Sequence, residues 1–448
     1  MSRPTNKVAP DSRSRPPLVL MHGLMGSSIT NKAGITSFVS IKAALNWRWR
    51  SLKLPTAWSK RDDGRWAQQH DGSTVSAEPI LDVKVCGCIS AQNYMGEADD
   101  FFLNVEPRRL SYFTFDWRRD CWETTERLEA HLRKVKEEHG EPPQIIVHSM
   151  GCNFVLAALH RCPDLIHSTI LCGGTFGGCI GFYHLVQRGM PVGLNTKLVD
   201  PQTVATWACV FQVASPPGDP LLDAGDGKRH MELVDAKVLK EQQELRPIPV
   251  DWYDVADWER LKLGPWMGGA TVSAEMRAHV VAALENGKAF QKLLREGTRP
   301  AGDYPPVAVL LGDGYERRNH YLWDTEKGML IESHGKHAAA LAKSHPFTET
   351  VETDGTVPTF SAIPHSVPHT VHVARHNGPD RGGGHHINLV DECEQLHEIL
   401  EELEVEAKAK ANGGRFTASA LARASKRRFV MSRRMTFFAA DRAMMGGV

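Results

Sequence analysis

The chain has no charge of either sign to spare: 53 Lys and Arg stand against 53 Asp and Glu in 448 residues. A protein built to coat nucleic acid needs a strong basic excess, so that class is excluded. Cysteine is scarce and odd in number, nine in all. Cys152, Cys162, Cys172 and Cys179 lie in otherwise apolar segments and read as buried thiols, not as a disulfide framework. No run approaches the ~20 apolar residues that cross a bilayer. There is no Asn-x-Ser/Thr sequon, and the first fifteen residues are polar, without the apolar core of a secretory signal. These absences lead us to expect a cytoplasmic protein that meets membranes only peripherally. Metal-ligand spacing is also missing. His365, His369, His372 and His376 are interrupted by Pro364 and Pro368, and Cys86-Gly87-Cys88 has no second pair, so no metal and no cofactor is expected.

What is present is globular: 42% hydrophobic and 24% charged residues, enough for a large core. Short apolar runs that stop at turn residues read as buried strands at 18–21, 145–147, 168–172 and 306–311, with further strand character at 83–85, 110–116 and 370–375. Residues 122–139 place Leu128, Leu132 and Val135 at helical spacing, and Pro142-Pro143 ends that helix. Helical composition follows at 152–161, and again near 234–245, 273–295 and 387–406. Strand, helix, strand, helix, strand is the pattern of a parallel α/β sheet. Residues 24–80 show no clean period. Residues 179–300 break the rhythm with Pro-rich turns and four Trp, and read as a helical cap.

The strongest local signal is VHSMG at 147–151. An apolar strand runs into it and a helix leaves it, the setting of a nucleophile elbow, in which a strained turn lifts a Ser hydroxyl clear of the sheet. Val147 stands where such motifs usually carry Gly. A Ser hydroxyl needs a base, and the base needs a carboxylate to orient it. In α/β-hydrolases the chain order is Ser, acid, His. ETDGTVP at 352–358 offers Asp354 in a tight turn, and LLGDG offers Asp313 at the end of an apolar run. GGGHHINLV at 382–390 offers His385 and His386. An oxyanion hole needs two backbone N–H groups. Met150, next after Ser149, and Leu24, in the HGLMG turn after the first strand, are the candidates, with Gly23 and Gly26 letting the backbone approach.

Four blocks together resemble the lecithin:cholesterol acyltransferase family, with its lysosomal phospholipase A2 and phospholipid:diacylglycerol acyltransferase relatives. They are LVLMHGLMGSSI at 18–29, FTFDWRRD at 113–120, IIVHSMGCNFVLAAL with ILCGGTFGG through 178, and DGTVP with HHINLV. The resemblance implies an α/β-hydrolase fold, a mostly parallel sheet flanked by helices, with a helical cap insertion. It implies Ser149 as nucleophile, Asp354 as orienting acid and His386 as base, His386 being preferred to His385 because INLV follows it. Composition and pattern along the chain divide it into a lead-in at 1–15, a core at 16–178 with a lid-like insertion near 27–80, where the family's lid lies, a cap at 179–304, a second core part at 305–407 and a basic tail at 408–448. The stretch from Gly23 to Val85 has no Cys, so the lid disulfide of secreted family members is impossible there.

The activity expected is acyl transfer from a phospholipid or other lipid ester, through an acyl-enzyme, to an acyl acceptor. The alternatives are a phospholipase or lipase acting on the same esters, and an inactive lipid-binding homologue. The partners expected are therefore a lipid ester, an acceptor and a membrane surface, with no nucleic acid. Residues 46–50 (NWRWR) interleave aromatics and cations, as segments at lipid–water interfaces do. The tail from Lys408 onward is basic and suits anionic lipid or a solvated tail equally.

Overall fold

The computed structural model describes residues 15–38, 52–85, 89–93, 95–178, 180–214, 233–242, 244, 246–318, 321–330, 350–374 and 385–412. The stretch at 46–50, Cys86, Cys88, Cys179, His376 and the tail beyond Asn412 lie outside these residues. The chain divides into two units, 1–403 and 404–448. The second is described only to Asn412, and its residues 404–411 are helical.

The first unit is built on a six-stranded sheet. Its strands are β1 (Leu18–Met21), β2 (Leu110–Phe113), β3 (Gln144–His148), β4 (Ser168–Cys172), β5 (Val307–Leu311) and β6 (Thr370–Val373). The spatial order is β6-β5-β4-β3-β1-β2, and every pairing is parallel. Parallel strands are covered on both faces, which is why β1, β4 and β5 are buried at every position. Alternation then sorts the side chains. Val19, Met21, Ile145, Val147, Leu171 and Val309 join Leu128, Phe154 and Phe290 on one face. Leu18, Leu20, Ile146, Ile170 and Leu310 join Met95, Phe102, Leu396 and Leu400 on the other.

Four long helices accompany the sheet: α1 (Cys121–His139), α2 (Gly151–Arg161), α3 (Ala274–Arg295) and α4 (Cys393–Ala411). Asp120 caps α1, its carboxylate accepting from the N–H groups of Trp122 and Glu123, and Gly140 ends it at φ 77°. The helix expected from 387 begins only at Cys393. It is preceded by a short helix at His385–Asn388 and a 3-10 turn at Leu389–Asp391. The aperiodic segment at 24–80 forms short antiparallel pairs, among them Trp58–Lys60 with Trp66–Gln68. Parallel sheet and flanking helices together make this an α/β-hydrolase fold, as expected. No helix among the described residues is long and apolar enough to cross a membrane.

Between β4 and β5 the chain is not purely helical. It includes a hairpin, Met190–Val192 with Asn195–Val199, and a strand at Leu233–Asp235 that pairs with Tyr321–Asp324. Tyr183, Trp252, Trp258, Tyr321 and Trp323 line a small apolar cavity in this part. A buried polar network ties it to the sheet layer. Asp120 Oδ2 accepts from Asn286 Nδ2 at 2.8 Å and from Gln212 Nε2 at 2.5 Å. Asn286 also exchanges two hydrogen bonds with the Trp66 backbone, N–H to Oδ1 at 2.9 Å and Nδ2 to O at 2.8 Å. An unpaired buried donor or acceptor costs about 1–3 kcal/mol. Asn286→Ala orphans the Trp66 N–H and carbonyl and removes one of the donors to Asp120, so its urea-unfolding free energy should fall by about 1–3 kcal/mol with the far-ultraviolet circular dichroism of the folded state unchanged.

Candidate active site

In the sheet order, β1 leads outward to β2, and the chain then crosses back to β3 on the other side of β1. The carboxyl ends of β1 and β3 therefore flank a topological switch point, where open α/β sheets present their sites. HGLMG leaves β1 there, and HSMG leaves β3 beside it, because Met21 is paired with Val147. The two turns touch. A Cβ on Gly23 would lie 2.6 Å from Ser149 Cβ, and one on Gly151 would lie 2.5 Å from the His22 carbonyl oxygen. Only glycine fits at either place. Val147, in the unusual position for an elbow, puts its side chain into the core.

Ser149 has φ 54°, a left-handed conformation that a non-glycine residue adopts only when its surroundings impose it. Its N–H donates to the Cys172 carbonyl at 2.8 Å, and its own carbonyl accepts from Cys152 N–H at 3.0 Å. The turn is thus held on both sides, and α2 starts one residue after Met150 with no side-chain cap. Ser149 Oγ lies 2.9 Å from His386 Nε2, and His386 Nδ1 lies 2.6 Å from Asp354 Oδ2. A carboxylate only accepts, so Nδ1 carries the proton and Nε2 is free to accept from the Ser149 hydroxyl. The other Asp354 oxygen accepts from the N–H groups of Thr356 at 2.9 Å and Val357 at 2.7 Å. Gly355, at φ 97°, makes that tight turn possible.

The structure thus brings together Ser149, Asp354 and His386, from three segments far apart in sequence. Asp313 follows β5 and is not hydrogen-bonded to His386; the carboxylate in contact is that of Asp354. His385 opens the short helix His385–Asn388, and its side chain lies outside the described residues. Leu24 and Met150 flank the elbow, and among the described residues neither N–H donates a hydrogen bond. His22 orients one of them. Its Nε2 accepts from Phe115 N–H at 3.4 Å, so Nδ1 is the protonated nitrogen and donates to the Gly23 carbonyl at 2.7 Å. In a trans peptide N–H and C=O point in opposite directions, so the Leu24 N–H is aimed away from His22.

Two contributors carried no role in the sequence reading. Gly173, at φ 57°, lets β4 end against the acid–base pair: a Cβ there would sit 3.1 Å from His386 Nδ1 and 3.2 Å from Asp354 Oδ2. The Gly-rich run after β4 was the only signal for it. His148, half-buried, reaches the His386 backbone, and nothing in the sequence marked it beyond its place before Ser149.

Burial holds several imidazoles neutral. Desolvation pushes His22, His160 and His279 each down to about 4 from an ordinary 6.5, partly offset by backbone hydrogen bonds. His148 is likewise held below its ordinary value, first by desolvation and then by the neighbouring His386. Between about pH 6.5 and pH 4 the unfolded chain binds protons that these buried rings refuse, so stability rises with pH across that window and is lost as pH falls through it. Urea unfolding from pH 7 to pH 4 should show this decline, and His279→Gln should make it shallower.

The family model for lecithin:cholesterol acyltransferase matches residues 105–209. Phosphatidylcholine-sterol acyltransferase of Rattus norvegicus is 28% identical over 149 residues, which are 30% of this chain and 33% of that protein. The match thus spans about a third of the length of that relative. The resemblance to this family is borne out over residues 105–209, which hold the sequence blocks at 113–120 and 145–178. Among solved structures, a chain of the Tle4–Tli4 complex is 14% identical, with a TM-score of 0.49, over 87% of this chain and 98% of that one. The lipase BlEst2 of Bacillus licheniformis is 12% identical, with a TM-score of 0.33, over 89% and 95%.

Proposed function

We propose, from the likeness of residues 105–209 to the lecithin:cholesterol acyltransferases, that this chain is a serine-dependent enzyme of lipid esters that works through an acyl-enzyme. The observation that carries this reading is the 2.9 Å contact between Ser149 Oγ and His386 Nε2 at the end of a left-handed elbow. His386 takes the Ser149 proton as Oγ attacks the ester carbonyl. The negative charge that develops on the carbonyl oxygen is met by the Leu24 and Met150 N–H groups, preorganised by backbone contacts and by the His22 hydrogen bond to the Gly23 carbonyl. Asp354 keeps His386 in the Nδ1–H tautomer and stabilises the imidazolium. The tetrahedral intermediate collapses, His386 protonates the departing alcohol oxygen, and Ser149 keeps the acyl group. His386 then deprotonates the acceptor, whose oxygen attacks the acyl-enzyme and frees Ser149.

The acceptor is a lipid alcohol in the transferase reading and water in the phospholipase reading. The family likeness favours the former. The two separate in the products formed from one labelled phospholipid with and without a sterol or diacylglycerol. Both readings place the enzyme at a lipid surface.

A fluorophosphonate probe tests the nucleophile directly. Wild-type protein should label and Ser149→Ala should not, with turnover of a soluble ester reduced by roughly a thousandfold or more. Retained labelling in that variant rejects Ser149. Asp354→Asn should damage turnover far more than Asp313→Asn, and the opposite ranking rejects the acid assignment.

A further inference from the structure

We propose that His148 is a positioning residue for the base: its Nε2–H clamps the His386 backbone carbonyl and so sets the gap between His386 and the Ser149 hydroxyl. The inference rests on the acyl-enzyme reading and adds to it a residue from the elbow itself.

His148 is the last residue of β3 and directly precedes Ser149. Its Nε2 lies 2.7 Å from the His386 carbonyl oxygen. A carbonyl only accepts, so Nε2 carries the proton, and the ring acts here as a neutral donor. The His148 and His386 rings lie 4.7 Å apart at 45°. On its other side, the His386 N–H donates to the Asp354 carbonyl at 2.9 Å. The backbone of His386 is therefore gripped at both polar groups, by Asp354 at N–H and by His148 at C=O. The grip by Asp354 fixes ring rotation through Nδ1 and holds the amide end. It does not fix the distance from His386 to β3. The contact from His148 does, because the donor belongs to the residue next to Ser149 and bridges 238 positions of sequence. His386 lies in a helix of four residues, His385–Asn388. Such a short element has little regular hydrogen bonding of its own to hold it in place.

A clamp that held a charge would work against the base, since a second cation beside His386 disfavours the imidazolium. His148 is kept neutral by its surroundings. The ionisable groups that act on it are His386, Asp354 and His22, and the strand beside it contributes the buried thiol of Cys172, across from His148 in register. Asp354 is engaged by His386 and by two backbone N–H groups, and His22 is itself neutral.

The test exploits reach. His148→Gln keeps an N–H donor at the reach of Nε2. His148→Asn keeps one only at the reach of Nδ1. His148→Phe keeps a ring and removes the donor. Each is assayed with p-nitrophenyl butyrate for kcat and KM, with a fluorophosphonate for labelling rate, and by thermal unfolding. Displacement of a catalytic group by about 1 Å costs up to about a hundredfold in rate, so Phe and Asn should lower kcat and labelling rate by about tenfold or more with KM little changed. Gln should restore most of the loss. A purely structural residue would instead lower the melting temperature and leave the kcat of the folded fraction alone. Wild-type kcat in His148→Phe overturns the inference, as does an equal loss in Gln and Asn. Should His148→Phe not fold, the Gln–Asn comparison decides by itself. A wild-type protein that the phosphonate does not label overturns the acyl-enzyme reading and this inference with it. A labelled wild type with a flat His148 series overturns this inference alone.

Discussion

At the centre of the molecule two backbone turns meet with no space for a side chain between them. The turn after β1 passes Ser149 where Gly23 has no Cβ, and α2 begins against the His22 carbonyl where Gly151 has none. Close approach of this kind is available only where parallel strands lie side by side and leave the sheet at the same end, as β1 and β3 do in register from Leu18 with Gln144 to Met21 with Val147. Once that contact is made, the left-handed backbone at Ser149 is imposed by its neighbours. The remaining requirement is a base at the right height above the turn, met by the short helix at His385–Asn388 and the turn after β4, with Gly173 again leaving out a Cβ.

The sheet was legible because parallel strands buried on both faces appear in the sequence as unbroken apolar runs, as LVLM and IIV do. The elbow was legible for a related reason, since a strand of that type stops abruptly at His-Ser-Met-Gly. The choice among carboxylates could not be read locally. LLGDG and TDGTV both offer an Asp-Gly turn, and only the three-dimensional path of the chain decides which one meets His386. The segment at 24–80 was opaque because its strands are two or three residues long and carry no period. The late start of α4 has a local cause: Glu392 leaves the helical region at ψ 55°, so the apolar spacing that runs through 387–406 belongs to three elements, the short helix, the 3-10 turn and α4. His148 escaped notice because its hydrogen bond joins residues hundreds of positions apart, and periodicity carries no information at that range.

Electrostatically the site is arranged by exclusion more than by added charge. The carboxylate of Asp354 is held by two backbone N–H groups and the imidazole, while His22, in the turn after β1, stays neutral because burial disfavours its charged form. A neutral ring with a fixed tautomer is a directional hydrogen-bond donor that does not compete for the charge on the base. The same principle governs Cys152 and Cys172 beneath the turn, whose thiols are driven well above their ordinary range by burial. They fill space next to the nucleophile without offering a second one.

Helix α3 is joined to the first turn of α1 through Asn286 and Asp120 and through the Trp122 indole N–H to the Asn286 carbonyl at 3.0 Å, and to the 3-10 turn at Ala208–Phe211 through Gln291 to the Gln212 carbonyl at 2.8 Å. Swinging it away from the sheet would expose or orphan these groups together, at a cost on the order of 1 kcal/mol or more for each. In mechanical language α3 is a strut and not a hinge.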